Sequence, residues 1–323
     1  MAVKVISPGL ATSVQDLGRQ GYYHLGIPIS GGMDRFSLRA ANRLVGNDEG
    51  AAVLEAVFMG PELEFTSDAT VAVAGAELPP KVDGEPRETW TSFAVKAGQT
   101  LSFDFLKAGA RAYIAISGGI DVPVVLGSRS TYPLGALGGK EGRNLAAGDE
   151  LALGGSGGAA EGRSVPADLR RLPGMPAELR VLTGIYWYRL TEQAGRNFFD
   201  DTWKVAPEAD RIGYRFRGGR SLDFVEREQP FGAGSDPSNI VDGCYPYGSI
   251  QVPGGTEPIV LHRDAVSGGG YFMLGTVISA DMDLIGQLQP HTETKFVSVD
   301  METALQARHD RQALLDKVRS ALD

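Results

Sequence analysis

The sequence predicts a mainly β protein with a few helices, built as two β-barrel domains and closed by a C-terminal helix. Three observations carry that expectation. Short runs rich in Val, Ile, Phe and Tyr recur between turn residues, the pattern of half-buried strands at sandwich or barrel spacing. Glycine is abundant, 43 of 323 residues beside 18 prolines, nearly twice the usual glycine share of about 7%, so turns are many. The length lies at the upper limit of one hydrophobic core, which favours two domains.

In the first half the strand-like runs are AVKVIS (2–7), TVAVAG (70–75), SFAVKAG (92–98), TLSFDFL (100–106) and RAYIAISGG (111–119). One helix interrupts them, MDRFSLRAANRLVGN. Leu38, Ala41, Leu44 and Val45 share a face there, Asp34 stands at the N-cap and Gly46 at the C-cap. The segment 154–176 is rich in Gly, Ala and Pro without apolar periodicity and reads as a linker. The domains expected from it are an N-terminal barrel over 1–160, a linker over 161–176 and a C-terminal barrel with its terminal helix over 177–323. In the second half ELRVLTG, RIGYRFRG, GSIQVP, EPIVLHR, LGTVISAD and TKFVSV resemble strands, and TEQAGRNFF a short helix. From Met301 to Asp323 the apolar residues Leu314, Val318 and Leu322 line one helical stripe. That stripe must pack on a barrel or on a partner subunit.

Composition narrows the function. Apolar residues at 42% and charged residues at 22% exclude disorder and coiled coil. Lys+Arg 31 against Asp+Glu 40 gives a charge of -9 with no basic block, so nucleic acid lacks its electrostatic attraction. The single cysteine, Cys244, has no intrachain disulfide partner. The histidines His24, His262, His291 and His309 are too scattered for a zinc motif, so no metal site is expected. No signal peptide and no run of roughly 20 apolar residues is evident, which predicts a soluble, cytoplasmic protein with no membrane partner. The loop GALGGKEG (135–142) has Glu141 where a P-loop needs Ser or Thr.

Four polar clusters lie among glycines, where backbone approaches a ligand most closely. In Ser13–Gly21, Arg19 offers a planar fork that Asp16 could orient beside Gln15, making an anion or amide site; a plain turn accounts for the same residues. In Gly31–Asp34, Asp34 either faces a substrate nitrogen or caps the helix. In Gly118–Thr131, Ser128 and Arg129 suit an oxyanion, or Arg129 ties its loop to Glu55 or Asp121. In the stretches from Gln251 and from His262 to Tyr271, His262 precedes Asp264 by two residues, which on an extended strand puts both on one face for proton handling. A packed structural histidine is the alternative. The glycines Gly268, Gly269 and Gly270 point to close backbone approach.

Those residues sit in longer motifs. SPGLATSVQDLGRQGYYHLGIPISGGMDRFSLRAANRLVGN, GAAVLE and GGIDVPVVLGSRSTY, then DRIGYRFRG, GSIQVPGGTEPIVL and GGGYFMLGTVISADMDLIGQLQP, closely resemble the allophanate hydrolase subunit 2 or KipA-like family. That family includes the C subunit of 5-oxoprolinase and the carboxyltransferase region of urea carboxylase. The resemblance implies two cyclophilin-like β-barrel domains. It implies a KipI-like partner (allophanate hydrolase subunit 1) and a third, LamB/YcsF-like subunit, acting on a small amide or lactam. In the 5-oxoprolinase reading ATP, shared with the partner since this chain has no P-loop, drives opening of 5-oxoproline to glutamate, and the chain alone is expected to be inactive. In a second reading a carboxyl group passes to urea or a related amide from biotin that is not attached to this chain. In a third the chain is a non-catalytic antagonist of a KipI-like kinase inhibitor. The site residues so implied are Asp34, His262 and Asp264 for catalysis. For substrate binding they are Gln15, Asp16, Arg19, Ser128, Arg129, Gln251, Ser267, Gly268, Gly269 and Tyr271. Where many members of the family show A-D-x-Q-T-T-G-G-Y-P, this chain runs from His262 to Phe272 as HRDAVSGGGYF, which leaves the substrate open.

Overall fold

A computed structural model describes residues 1–155 and 161–323. It divides into two compact units that are not simple halves of the chain. The first holds Met1–Gln20, Ser30–Leu172 and Gln312–Asp323, the second Gly21–Ile29 and Pro173–Arg311. Of the Gly-, Ala- and Pro-rich segment 154–176, residues 156–160 lie outside the described residues. The stretch after residue 160 is packed rather than loose: Ser164 bridges Thr91, and Val165 is fully buried beside Trp90 in the first unit.

The first unit contains β1 (Ala2–Ser7), β2 (Ser13–Gln15), α1 (Arg35–Leu44), β3 (Val53–Val57), β4 (Glu62–Phe65), β5 (Ala69–Glu77), β6 (Pro80–Val82), β7 (Glu85–Pro86), β8 (Ser92–Val95), β9 (Thr100–Phe103), β10 (Ala108–Ile116) and β11 (Glu150–Ala152). They form two antiparallel sheets, in the orders β11-β1-β4-β9-β6-β7 and β2-β3-β10-β5-β8. One core lies between the sheets, joining Val3, Val5, Leu63, Phe65 and Leu101 of the first to Leu54, Val71, Val73, Ile114 and Ile116 of the second.

The five-stranded sheet is buried on its other face too. Ala72 and Ala74 of β5 and Tyr113 and Ala115 of β10 alternate with the core residues and face a second cluster with α1. This double burial explains why TVAVAG and RAYIAIS are continuous apolar runs instead of alternating ones. Asp34 caps α1, its carboxylate accepting the Ser37 N–H at 2.9 Å, while Val45 is the C-cap and Gly46, at φ 77°, takes the left-handed position just beyond.

The second unit contains β12 (Ala177–Thr183), α2 (Glu192–Asp200), β13 (Trp203–Val205), β14 (Gly213–Arg217), β15 (Asn239–Cys244), β16 (Ser249–Gln251), β17 (Ile259–Leu261), β18 (Gly268–Tyr271), β19 (Met273–Val277), α3 (Met282–Ile285), β20 (Glu293–Ser298) and the start of α4 (Met301–Leu322). Seven strands close into a barrel, β12-β19-β16-β17-β14-β13-β20, sealed by the parallel pair β12 and β20. Among the described residues, ring closure is found in this unit, while the first divides its strands over two sheets. Phe198 of α2 stacks on Phe296 at 4.7 Å, and Trp203 and Phe216 meet the same ring edge-on. Outside the barrel, β15 and β18 pair as a two-stranded ribbon. No helix among the described residues is long and apolar enough to cross a membrane.

The last turns of α4 belong to the first unit. Leu315, Val318 and Leu322 are buried against α1 there, while Leu314, expected in that stripe, is only partly buried. Earlier on the helix Ala307 packs with Ile278 and Ala280 of the second unit.

The docked helix end sets two expectations. Leu315→Ala removes a fully buried side chain, and about 2–5 kcal/mol of stability should be lost in denaturant unfolding; a loss under about 1 kcal/mol would contradict the packing. Arg319 donates to Glu49, with Nη2 to Oε2 at 2.7 Å. That bond holds the Glu49 carboxyl below its ordinary range despite the opposing effect of burial. A lowered folded value means the contribution is present above the unfolded value of about 4.3 and fades as pH falls through the folded one. Glu49→Gln should therefore cost up to about 1 kcal/mol at pH 7 and progressively less as the pH is taken below the unfolded carboxyl value, compared by thermal unfolding across that range.

Candidate functional site

In the first unit the polar residues picked out by sequence gather around Asp16, just past the end of β2. Its Oδ1 accepts the Gly18 N–H at 2.7 Å and the Ser128 hydroxyl at 2.7 Å, together with a very short bond from the Ser130 hydroxyl. Its Oδ2 accepts the Arg129 N–H at 2.6 Å. Gln15 donates through Nε2 to Ser13 Oγ and to the Thr131 carbonyl, and Arg19 donates through Nη2 to the Ser130 carbonyl at 2.7 Å. Gln15, Arg19, Ser130 and Thr131 are fully buried and Asp16 almost so.

Two glycines make this convergence possible. At Gly31, with φ 85°, a Cβ would come within 2.7 Å of Gly18 N, and at Gly138 it would strike the Ser130 carbonyl and Arg19 Nη2. Gln15, Asp16, Arg19 and Ser128 therefore come together, with Arg129 joining through its backbone. The Arg129 guanidinium turns aside: Nε donates to the Val122 carbonyl at 2.9 Å and Nη2 to Asp121 at 3.1 Å. Of the two partners considered for it, Asp121 is the one found. Glu55 instead accepts from the Met33 N–H and from the Tyr113 hydroxyl, both at 2.8 Å, near Arg111.

Asp34 is held as a helix cap. Its carboxylate receives the N–H and the hydroxyl of Ser37, and its own N–H donates to the Tyr113 hydroxyl at 2.7 Å. Burial, with the charges of Glu55 and Asp34 adding to it, pushes the Tyr113 hydroxyl well above its ordinary value, so it stays a neutral donor. Tyr113 gives no motif signal. Its place at the centre of a strand buried on both faces is the only cue.

In the second unit the expected pairing of His262 with Asp264 is not formed. The strand β17 stops at Leu261 and the chain turns, so a two-residue step no longer keeps one face. His262 Nε2 lies 3.0 Å from the Met282 carbonyl, whereas Asp264 receives both Nε and Nη2 of Arg211, at 2.8 and 3.2 Å. Between them Arg263 stacks on the Tyr247 ring, 4.2 Å from its centroid.

The remaining predicted residues meet at Tyr245. Its hydroxyl donates to the Tyr271 carbonyl at 2.6 Å and accepts the Tyr271 N–H at 2.7 Å, with the Gln251 side chain close enough to oppose the upward shift of its pKa. Its backbone N–H donates to the Ser267 carbonyl, and its ring lies where a Cβ on Gly269 would come within 3.1 Å. Tyr23 adds a clamp, its hydroxyl 2.8 Å from the Tyr245 carbonyl and 3.0 Å from that of Val266. Burial raises both tyrosines above their ordinary values, keeping the hydroxyls as donors. The outcome is a braced ribbon, β18 with Ser267, on which Gly268 and Tyr271 are exposed. Sequence reasoning named Gln251, Ser267, Gly268, Gly269 and Tyr271 but missed Tyr245 and Tyr23.

Among the described residues no three His, Cys, Asp or Glu side chains gather as metal ligands. The loop 135–142 does not suit a nucleotide phosphate: Lys140 pairs with Glu141, and the chain continues through Arg143 and Asp149 into β11 without a helix whose N-terminus could face an anion.

The profile of the family described as carboxyltransferase domain, subdomain A and B, matches residues 25–298. The chain belongs to that family. Among carboxyltransferase-domain relatives, the C subunit of 5-oxoprolinase from Escherichia coli is 34% identical over 98% of this chain and 97% of its own length. Urea amidolyase of Lachancea kluyveri is also 34% identical over 98% of this chain, which spans only 18% of that longer protein. In structure, urea amidolyase of K. lactis superposes with a TM-score of 0.91 at 35% identity, covering 98% of this chain and 20% of that one. TTHA0988 matches 92% of this chain and 55% of its own, with a TM-score of 0.79 at 36% identity.

The bonding around Asp16 sets a measurable contrast. Asp16→Ala strands two hydroxyls and two backbone N–H groups, at about 1–3 kcal/mol for each buried group left without a partner, and should lower the melting temperature by well over 5 °C. Arg129→Ala breaks a half-exposed clasp and should cost less than about 1 kcal/mol. Equal melting of the two variants would show that Asp16 is not the hub. Tyr245→Phe should speed amide hydrogen exchange at Gly268–Tyr271 while leaving the barrel strands protected.

Proposed function

We propose that the chain acts as the C subunit of an ATP-dependent 5-oxoprolinase in the cytoplasm. It would work with a KipI-like subunit to activate the lactam and pass it to a LamB/YcsF-like subunit for opening to glutamate. The supporting observation is coverage: 98% of this chain aligns with 97% of the Escherichia coli C subunit, so the framework through which that protein acts has a counterpart here almost throughout.

The ribbon of the second unit suits the task. A strand paired on one side only keeps a second edge of N–H and C=O groups; on β18 the Tyr245 hydroxyl takes those of Tyr271, so the edge offered is that of Gly268–Gly270, and a lactam carries one N–H and one C=O side by side. Docked along that edge, a lactam would be held flat and its carbonyl polarised by backbone donors. Among the described residues the loop 135–142 offers no phosphate cradle, and the ATP would be shared with the partner subunit. Mixing the chain with its KipI-like partner, 5-oxoproline and ATP should hydrolyse the ATP to ADP and phosphate, with neither subunit active alone; no lactam-dependent release from the complex would end this reading.

A second reading draws on the family description and the superposition on urea amidolyase: carboxyl transfer from a separate biotinylated carrier to urea or a related amide. It expects a carboxylated product from a carboxybiotin donor. Failure to trap one, with active 5-oxoproline turnover, decides between the two.

A further inference from the structure

Arg189 of the second unit ends the short turn Trp187–Arg189 and is only 3% exposed. Its guanidinium lies 5.6 Å from the Phe272 ring centroid and 6.0 Å from that of Phe224. Nη2 donates to the Pro237 carbonyl at 2.5 Å and to the Asn239 carbonyl at 3.3 Å, whereas Nε and Nη1, both buried, find no acceptor in the described protein. Arg227 donates to the same Asn239 carbonyl, also at 3.3 Å, and to Gln229 Oε1 at 2.9 Å. Among the described residues no carboxylate is paired with either arginine.

Two positive groups thus share one neutral oxygen. Burial, with the Arg227 charge adding to it, pulls Arg189 below its ordinary value. A buried charge that has carbonyls and rings around it but no counter-ion is costly, a cost that an incoming anion would offset. The location narrows what that anion is. Asn239 is the register partner of Tyr271, so both guanidinium groups sit at the end of the braced ribbon.

We propose that Arg189 and Arg227 form an oxyanion subsite that takes the carboxylate of a small lactam acid lying along β18. The inference rests on the 5-oxoproline reading and deepens it. The lactam group pairs with the ribbon edge while the carboxylate, one ring atom away, reaches the forked donors. Urea has no group to place there, so the subsite selects lactam acids over neutral amides.

The test is calorimetric titration of the full chain with 5-oxoproline, with its neutral counterpart 2-pyrrolidinone and with inorganic phosphate. The charge-assisted bonds should make 5-oxoproline bind at least about tenfold tighter than 2-pyrrolidinone, and inorganic phosphate, another oxyanion for the same forks, should compete with 5-oxoproline but not with 2-pyrrolidinone. Arg227→Gln, at an exposed position, should keep the fold by circular dichroism and erase that preference. Arg189→Gln should do the same, and if it fails to fold, Arg227→Gln still carries the test. Equal binding of the two lactams, an unchanged Arg227→Gln variant, or phosphate that leaves 5-oxoproline binding untouched overturns the subsite. Normal 5-oxoproline turnover by the complex with KM unchanged in Arg227→Gln counts against the subsite alone. Selective binding by the chain with no turnover in the complex counts against the 5-oxoprolinase reading alone.

Discussion

One carboxylate organises the first unit's glycine-rich loops. Asp16 gathers donors from its own turn and from Ser128, Arg129 and Ser130, more than a hundred residues away, while its backbone carbonyl receives the Gly32 N–H. Three stretches of irregular chain that share no sheet pairing are thereby fixed to a common point. The Asp16 carboxylate, the hydroxyls of Ser128 and Ser130 and the Gln15 amide are satisfied within the protein, as buried polar groups generally are. The site motif of this unit is consequently a framework before it is anything else, and chemistry there would have to use groups at its margin.

The second unit solves a different problem. A closed barrel has no free strand edge, so an open edge has to come from chain outside the ring. The ribbon of β15 and β18 supplies it from outside the ring, and Tyr245 and Tyr23 hold that ribbon by bonds to backbone atoms on both sides of it. Glycines that would otherwise make the segment loose become useful once tyrosines take over the bracing, because Gly269 admits the Tyr245 ring against the strand.

Legibility followed range. The strands AVKVIS and RAYIAISGG, the Asp34 cap and the amphipathic tail could be read because period and capping are local properties. The tail's stripe shifted by one residue, from Leu314 to Leu315, since both lie near the same helical face and only the opposing surface decides which is buried. The transfer of Gly21–Ile29 to the second unit left no trace in composition. Nor could the sequence choose Asp121 for Arg129, or foresee that the turn after Leu261 would part His262 from Asp264. Arg189 belongs to no motif; what marks it is the lack of an acid nearby, a property of tertiary structure alone.

The end of α4 ties the first unit to the order of synthesis. Leu315, Val318 and Leu322 cover α1 and the outer face of its sheet, so a body that opens with β1 is completed only after all seven barrel strands have been passed. A nascent chain emerging from the ribosome would hold that apolar face open while the whole barrel is being made. During this interval the unit most exposed to wrong association is the one translated first.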